Sequence, residues 1–598
     1  MCGIAGMIDE FHSLENQYNT FKKMIASMKH RGPTDDGMHV EDHIALLHAR
    51  LAITDDEKGK QPMHYKQYII VYNGECYNTD DLKNDLSEKG YEFKTTCDTE
   101  VVLKMYAHYK EKCLDLIEGI FSFAIYDTNE KTLFLARDPM GVKPLFYTFV
   151  DNIFLFASEM KTLFAHPEVL PILDEHGIHQ IAYLGPGRIE GSGVFKNIYE
   201  LKGGEYGIYS KDGFHIHSYF ELSNSKHKDD YPTTIQKVKE MIADSIEKQL
   251  ISDKRLGCLL SGGLDSSIIV SIASKYYEKQ KKKLSTFSLE FESNEDYFSP
   301  NFYQPSNDVP YIDLMVKKFN TNHTVIKLSN QDLLDALYKS VDARDLPGMA
   351  DIDSSLLCFC EKLKEHVDVI LSGECADEIF GGYPWYKEFN TTFPWMKNLD
   401  YRNSILNECY QIDYKQYISE LYHSSITKAP IHEDDTNEDI AYKQLMYLHL
   451  HWFMQTLIDR KDRMCMANSL EARVPYCNPK IIDYVYSIPT LYKNKDSQEK
   501  SILREAMKDY LPVEILERKK SPFPKTYHPD YLRALRTELL KLRNHEPVWK
   551  IFNRNEALKL CTIESDIPWY GQLMKTPQTI AYLLQVNYWL KKYEIIIQ

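Results

Sequence analysis

Leu259-Leu260-Ser261-Gly262-Gly263-Leu264-Asp265-Ser266-Ser267 is the stretch whose reading decides the fold of the longer half of this chain. An apolar run, 256–260, enters two adjacent glycines, and a helical pattern, 265–275, leaves them. Glycine lets backbone approach a ligand closely, and the free N–H groups at a helix start favour an anion. A phosphate is therefore expected against Ser261, Gly262, Gly263, Asp265, Ser266 and Ser267. The lysine that ends a Walker loop is missing, so this is a phosphate loop of another kind. Two glycines alone could be mere punctuation after a strand; the whole string resists that reading.

Working outward, a second string, Leu371-Ser372-Gly373-Glu374-Cys375-Ala376-Asp377-Glu378, follows another apolar run at 367–371. Strand-like segments at 284–291 and 323–328 alternate with helical ones such as 311–319, the pattern of a doubly wound parallel sheet. In such a sheet both loops open at one carboxyl edge, where ligands bind. Asp265 and Asp377 would face one pocket there, and two carboxylates with phosphate oxygens suit Mg²⁺. Alone, Asp377 and Glu378 would read as solvated loop acids. Beyond about residue 404 the pattern turns mostly helical, including 440–459, which reads as a helical extension.

The 598 residues exceed what one core supports, since cores stop growing at about 250–300 residues. Before the nucleotide region lie many short strands, such as 67–72, 120–126, 132–136 and 153–158, with a few helices between them. They read as a layered α+β domain on antiparallel sheets. Residues 223–230 are polar and aperiodic, a linker, so the expected domains are 2–222 and 231–598. With 43% hydrophobic and 26% charged residues the chain has a soluble globular balance. A net charge of −16 repels a polyphosphate backbone and speaks against a nucleic-acid partner. The twelve cysteines are scattered with no CxxC pair, the pattern of reduced thiols in a cytoplasmic protein. Neither a signal peptide nor an apolar run of about 20 residues is read in the chain, so no membrane is expected.

Cys2 directly follows Met1. Removing Met1 would set an α-amine of pKa about 7.7–8.0 beside a thiol of about 8.5, so one residue could be both nucleophile and base. Downstream stand Arg50-Leu51-Ala52-Ile53-Thr54, Asn73-Gly74-Glu75-Cys76-Tyr77-Asn78 and Thr96-Cys97-Asp98-Thr99-Glu100. These are similar in kind and place to the glutamine pocket of the class II glutamine amidotransferases. On that resemblance Asn73 and the Gly74 N–H hold the oxyanion, and Arg50 clamps the glutamine α-carboxylate. Asp98 and the backbone near Glu75 take its amine and amide, and Leu51, Ala52, Ile53 and Thr54 complete the pocket. Each has a plainer reading: Arg50 a surface ion pair, Asn73-Gly74 a hairpin turn, Asp98 a helix cap.

The nine-residue string resembles the SGGxDS loop of the ATP pyrophosphatases, which split ATP to AMP. Nearly the whole chain resembles the glutamine-hydrolysing asparagine synthetases, including His30-Arg31-Gly32-Pro33, Arg137-Asp138 with Gly141 and Lys143-Pro144, and Ala157-Ser158-Glu159. The resemblance implies an Ntn-hydrolase αββα sandwich followed by a Rossmann-like domain with a helical C-terminal extension. It implies that Leu259, Leu289, Ser372 and Gly373 touch ATP, that Glu374 handles the aminated intermediate, and that Lys500 stabilises charge during adenylation. Cys2, Asn73, Gly74, Glu374 and Lys500 are then the catalytic set. ATP with Mg²⁺, glutamine and aspartate are the implied small molecules, ammonia passes between the sites, and a homodimer is suggested.

Two departures alter the pocket lining. Cys375-Ala376 stands where the family has Gly-Ser, and Tyr476-Cys477-Asn478 where it has Phe-Leu-Asp. They leave the acceptor carboxylate open, whether aspartate or another acid such as diaminopimelate in a cell-wall precursor. A stand-alone glutaminase is opposed by the intact phosphate strings, and a nucleic-acid-modifying pyrophosphatase by the acidic balance.

Overall fold

The computed structural model describes residues 1–53, 58–298, 306–388, 390–495, 498–565 and 567–598; Thr54, assigned above to the glutamine pocket, lies outside them. The first domain contains β1 (Cys2–Asp9), β2 (Asp35–Glu41), β3 (Ile44–Arg50), β4 (Met63–Tyr65), β5 (Tyr68–Cys76), β6 (Gly119–Asp127) and β7 (Thr132–Arg137). It continues with β8 (Phe146–Val150), β9 (Ile153–Ala157), β10 (Ile172–Leu173), β11 (Ile198–Glu200), β12 (Glu205–Ser210) and β13 (Gly213–Ser218). Two six-stranded sheets result, ordered β11-β8-β9-β1-β3-β2 and β13-β12-β7-β6-β5-β4.

Side-chain alternation stacks these sheets. Ile4 and Ile8 of β1 pack with Ile69 and Val71 of β5 between the sheets. Ala5 and Met7 belong instead to the cluster holding Phe21 and Met24 of the helix Tyr18–Ser27. Tyr68, Ile70 and Tyr72 turn the other way, toward Val101, Val102 and Met105 of the helix Asp98–Tyr109. The layers are helix, sheet, sheet, helix, the sandwich the resemblance implies.

Residues 219–230 carry no strand or helix. The Asp230 carboxylate then accepts from Thr233 N and caps the helix Tyr231–Gln249. Beyond it, β14 (Leu256–Leu259), β15 (Ser285–Phe291), β16 (Asn322–Leu328), β17 (Val369–Leu371) and β18 (Glu471–Arg473) form a parallel sheet ordered β16-β15-β14-β17-β18. The order reverses between β14 and β17, and that switch point is where a crevice opens. The helical region includes Asn437–Leu448 and Met454–Met466, joined by a π-turn over His449–Phe453.

Two features bind the domains. A single apolar cluster runs from Phe21 and Met24 of the first through Ile268 and Ile458 of the second. β19 (Ile596–Ile597) returns to pair in parallel with β10. Among the described residues, no helix is long and apolar enough to cross a membrane.

Candidate active sites

β14 ends directly at the glycine turn, and the helix Leu264–Lys279 begins with Gly263 as its cap. Gly262 has φ +66°, and a Cβ there would lie 2.7 Å from Tyr311 Cβ and 2.9 Å from Ile312 N. Only glycine meets both demands. Ser266 Oγ accepts from Ser261 N at 3.2 Å and stands 3.1 Å from Ser261 Oγ, closing the loop on itself. The loop after β17 comes close: a Cβ on Gly373 would lie 3.0 Å from Asp265 Cβ.

Between these loops lies a cleft lined by Leu259, Ser261, Gly263, Asp265, Ser266, Leu289, Ser372, Gly373, Glu374, Asp377 and Lys500 among others. The structure thus brings most of the expected nucleotide residues to one place. Gly262 and Ser267 are not among the lining residues. Gly262 serves the turn, and Ser267 is fully buried on the first turn of the helix, its Oγ without a hydrogen-bond partner among the described residues.

The charges in the cleft are paired. Lys500 Nζ lies 2.6 Å from Asp265 Oδ2 and 2.5 Å from Asp377 Oδ1, and Lys520 donates to Asp377 Oδ2. Burial pushes Asp377 up, yet Lys500 and Lys520 hold it down at about 2. Asp265 shifts upward, because burial and Asp377 together outweigh Lys500. Asp265 Oδ1 is buried without a hydrogen-bond partner, a hard oxygen donor left over for a cation or a bound ligand. Arg504, Arg518, Lys519 and Lys520 also line the cleft. Sequence reasoning missed them; the doublet Lys519-Lys520, a local basic run in an acidic chain, was the available signal. Deeper in, Lys461 Nζ pairs with Glu374 Oε1 at 2.9 Å. Despite burial, Lys461 and then Arg460 keep the Glu374 carboxyl below its usual range.

The expected glutamine residues converge on Cys2. In the β1–β3 register Cys2 stands opposite Arg50, and Leu51 N donates to Met1 O at 3.1 Å. Cys2 N donates to Asn73 Oδ1 at 2.9 Å, so the nitrogen that removal of Met1 would turn into an amine already has an acceptor. Asn73-Gly74 is not a hairpin turn but lies inside β5, with Gly74 opposite Phe121 of β6. Tyr72 N donates to Gln61 Oε1 and Cys76 N to Asp98 Oδ2 on the side away from β6. Strand alternation aims the Gly74 N–H to that same side. Asp98 opens its helix but its side chain does not cap it; it reaches across to β5. Ala52 N bonds Thr34 Oγ1 at 3.3 Å, and Ile53 is buried.

Met1 is itself buried, its ammonium 3.6 Å from Glu471 Oε2 of β18 and 3.9 Å from Glu75 Oε1. Burial, then Glu471 and Asp98, drive the Glu75 carboxyl well above the ordinary carboxylate range. Two acids, Glu471 and Glu75, thus face one buried ammonium.

Helix Met454–Met466 joins the two sites. Asp462 accepts from Arg31 at 2.9 Å and from Lys143 at 2.8 Å, both in the first domain. Arg31 Nε in turn donates to Cys2 O at 3.0 Å. One residue before Asp462 on the same helix stands Lys461, in the cleft.

Comparison with known proteins adds to this geometry. Residues 237–591 match the asparagine synthase family and residues 1–220 the glutamine amidotransferase domain. The chain is 42% identical over 611 aligned positions, covering 100% of both chains, to glutamine-hydrolysing asparagine synthetase 3 of Bacillus subtilis. It is 32% identical to asparagine synthetase 1 of that organism, over 88% of this chain and 87% of the other. It is 27% identical to asparagine synthetase B of Escherichia coli, over 88% and 82%. With the amidotransferase sandwich in front and the paired-loop cleft behind it, the chain belongs to the asparagine synthase family.

Proposed function

We propose that this chain is a glutamine-dependent asparagine synthetase, converting aspartate, glutamine and ATP into asparagine, glutamate, AMP and pyrophosphate. The observation that carries the reading is that one cleft holds both an anion-binding loop and, beside it, the Glu374–Lys461 pair. A nucleotide and a small acid can meet there.

In the first domain the Cys2 sulfur attacks the side-chain amide carbon of glutamine. Once Met1 is removed, the Cys2 amine takes the thiol proton and passes it to the departing ammonia. Asn73 Oδ1 orients that amine. The Asn73 amide N–H and the Gly74 N–H stabilise the oxyanion, and water then hydrolyses the thioester to glutamate. Arg50 takes the glutamine α-carboxylate, and Asp98 with the Glu75 backbone takes its amine and amide.

In the cleft a β-carboxylate oxygen of aspartate bonds to the α-phosphorus of ATP as the bond to pyrophosphate breaks. Lys500 and the Ser261–Ser266 turn take the charge that develops on the leaving group, with Lys520 close by. Ammonia then attacks the acyl carbon and AMP leaves. The carboxylates of Asp265 and Asp377 suit Mg²⁺, whose role when bound is to screen phosphate charge. Ammonia would be protonated in bulk water, so its route runs between the domains. A cytoplasmic setting rests on the scattered cysteines, and a homodimer on the family resemblance.

Incubating the enzyme with ATP and either aspartate or diaminopimelate tests the acceptor. Asparagine formation with aspartate supports the reading; amidation of diaminopimelate alone moves the same chemistry to another acid.

A further inference from the structure

Five consecutive residues of helix Met454–Met466, Asp459 to Arg463, are charged, and all but the half-buried Asp459 are buried. Four are tied to structural partners. Asp459 accepts from Arg188 at 3.2 Å and Arg344 at 3.0 Å. Arg460 pairs with Asp353 at 3.0 Å, Asp462 with Arg31 and Lys143, and Arg463 with Asp345. Lys461 differs, because its partner Glu374 lines the nucleotide cleft and Lys461 lines it too.

We propose that Lys461, acting with Glu374, recognises the amino-acid head of the acceptor and makes the enzyme selective for an α-amino dicarboxylate. This rests on the functional reading above. An ammonium carries three donors and a carboxylate about four acceptor sites, and the single 2.9 Å contact between Lys461 and Glu374 uses one of each. Both groups keep capacity for a zwitterion laid against them: Lys461 takes the α-carboxylate and Glu374 the α-ammonium. Glu374 directly follows Ser372-Gly373, which faces the phosphate loop, so a side chain one carboxylate longer reaches from this pair toward the α-phosphate. Phe359 and Phe523 line the same cleft. Arg460 stacks over the Phe523 ring at 4.6 Å, which steadies that wall and the helix turn bearing Lys461. The arrangement penalises succinate, which lacks the ammonium, and β-alanine, which lacks the α-carboxylate.

The test is ATP–pyrophosphate exchange by the full chain with aspartate and with β-alanine, comparing wild type, Lys461→Met and Lys461→Arg. Removing one partner of a buried charge pair costs binding by ~30-fold or more. Lys461→Met is expected to lose at least that factor in kcat/KM for aspartate, chiefly through KM, with KM for ATP little moved. The preference for aspartate over β-alanine shrinks accordingly, and Lys461→Arg restores part of it. A fall in kcat with KM for aspartate unmoved, or an equal loss with both acids, would make Lys461 a mere neutraliser of Glu374 and overturn the proposal. If wild type shows no exchange with aspartate, the functional reading falls and this inference with it; exchange that survives unchanged in Lys461→Met overturns this inference alone.

Discussion

Asn73 and Gly74 carry the local chemistry of a turn, yet both lie inside β5 because nine residues of that strand pair with β6. Tertiary pairing outweighs the turn propensity of two residues. A Cβ on Gly74 would lie 2.4 Å from Ile120 O and 2.7 Å from Phe121 Cα, atoms of a strand that has no room to yield. Gly74→Ala is therefore expected to destabilise the first domain by about 1–3 kcal/mol, seen as a lower denaturant midpoint, and to slow glutamine hydrolysis. Lys500 was legible because its motif is local. Its bridge between Asp265 and Asp377 predicts that Lys500→Met lowers kcat for adenylation by ~10²–10³ while Cys2 still hydrolyses glutamine. Loss of both activities together would point to misfolding instead. Lys461 carries no such signature, since what makes it part of the site is the packing of a distant segment onto the cleft.

Among the elements, β14 and its helix were readable from an apolar run and a glycine turn. β18 was not, because three residues, Glu471-Ala472-Arg473, show no apolar pattern. Its charged members are buried by pairing with each other at 2.6 Å and with Met1 and Glu75 from the other domain. Helix Met454–Met466 illustrates the same limit: the run Arg460 to Arg463 shows no apolar pattern yet is buried at the domain boundary. Burial raises Asp462, yet Arg31 and Lys143 hold it below its ordinary value. A depressed folded pKa means its stabilisation is complete above the unfolded value of about 3.9 and is lost as pH falls through the lower folded value. Asp462→Asn, which leaves two buried cations without their counter-charge, is expected to cost about 3–5 kcal/mol at pH 7. The gap to wild type in denaturation midpoint narrows as the pH is taken to about 3; a gap that stays constant with pH would exclude Asp462 as its source.

At the scale of the molecule, both domain types and their order were written in local strings, whereas their union was not. The shared apolar cluster, the return of β19 to β10 and the chain of contacts from Cys2 O through Arg31 to Asp462 all join residues hundreds apart in sequence. Those contacts hold the two sites in one body, and on the proposed function nitrogen freed at Cys2 is consumed in the nucleotide cleft rather than released. Glutamine labelled with ¹⁵N at the amide, ATP and aspartate, followed together by ¹⁵N and ³¹P NMR, test this directly, with Cys2→Ala as control. The account predicts AMP, pyrophosphate and labelled asparagine appearing in step, and a Cys2→Ala enzyme that works from ammonia but not from glutamine. ADP and inorganic phosphate in place of AMP and pyrophosphate, or Cys2→Ala still drawing on glutamine, would contradict it.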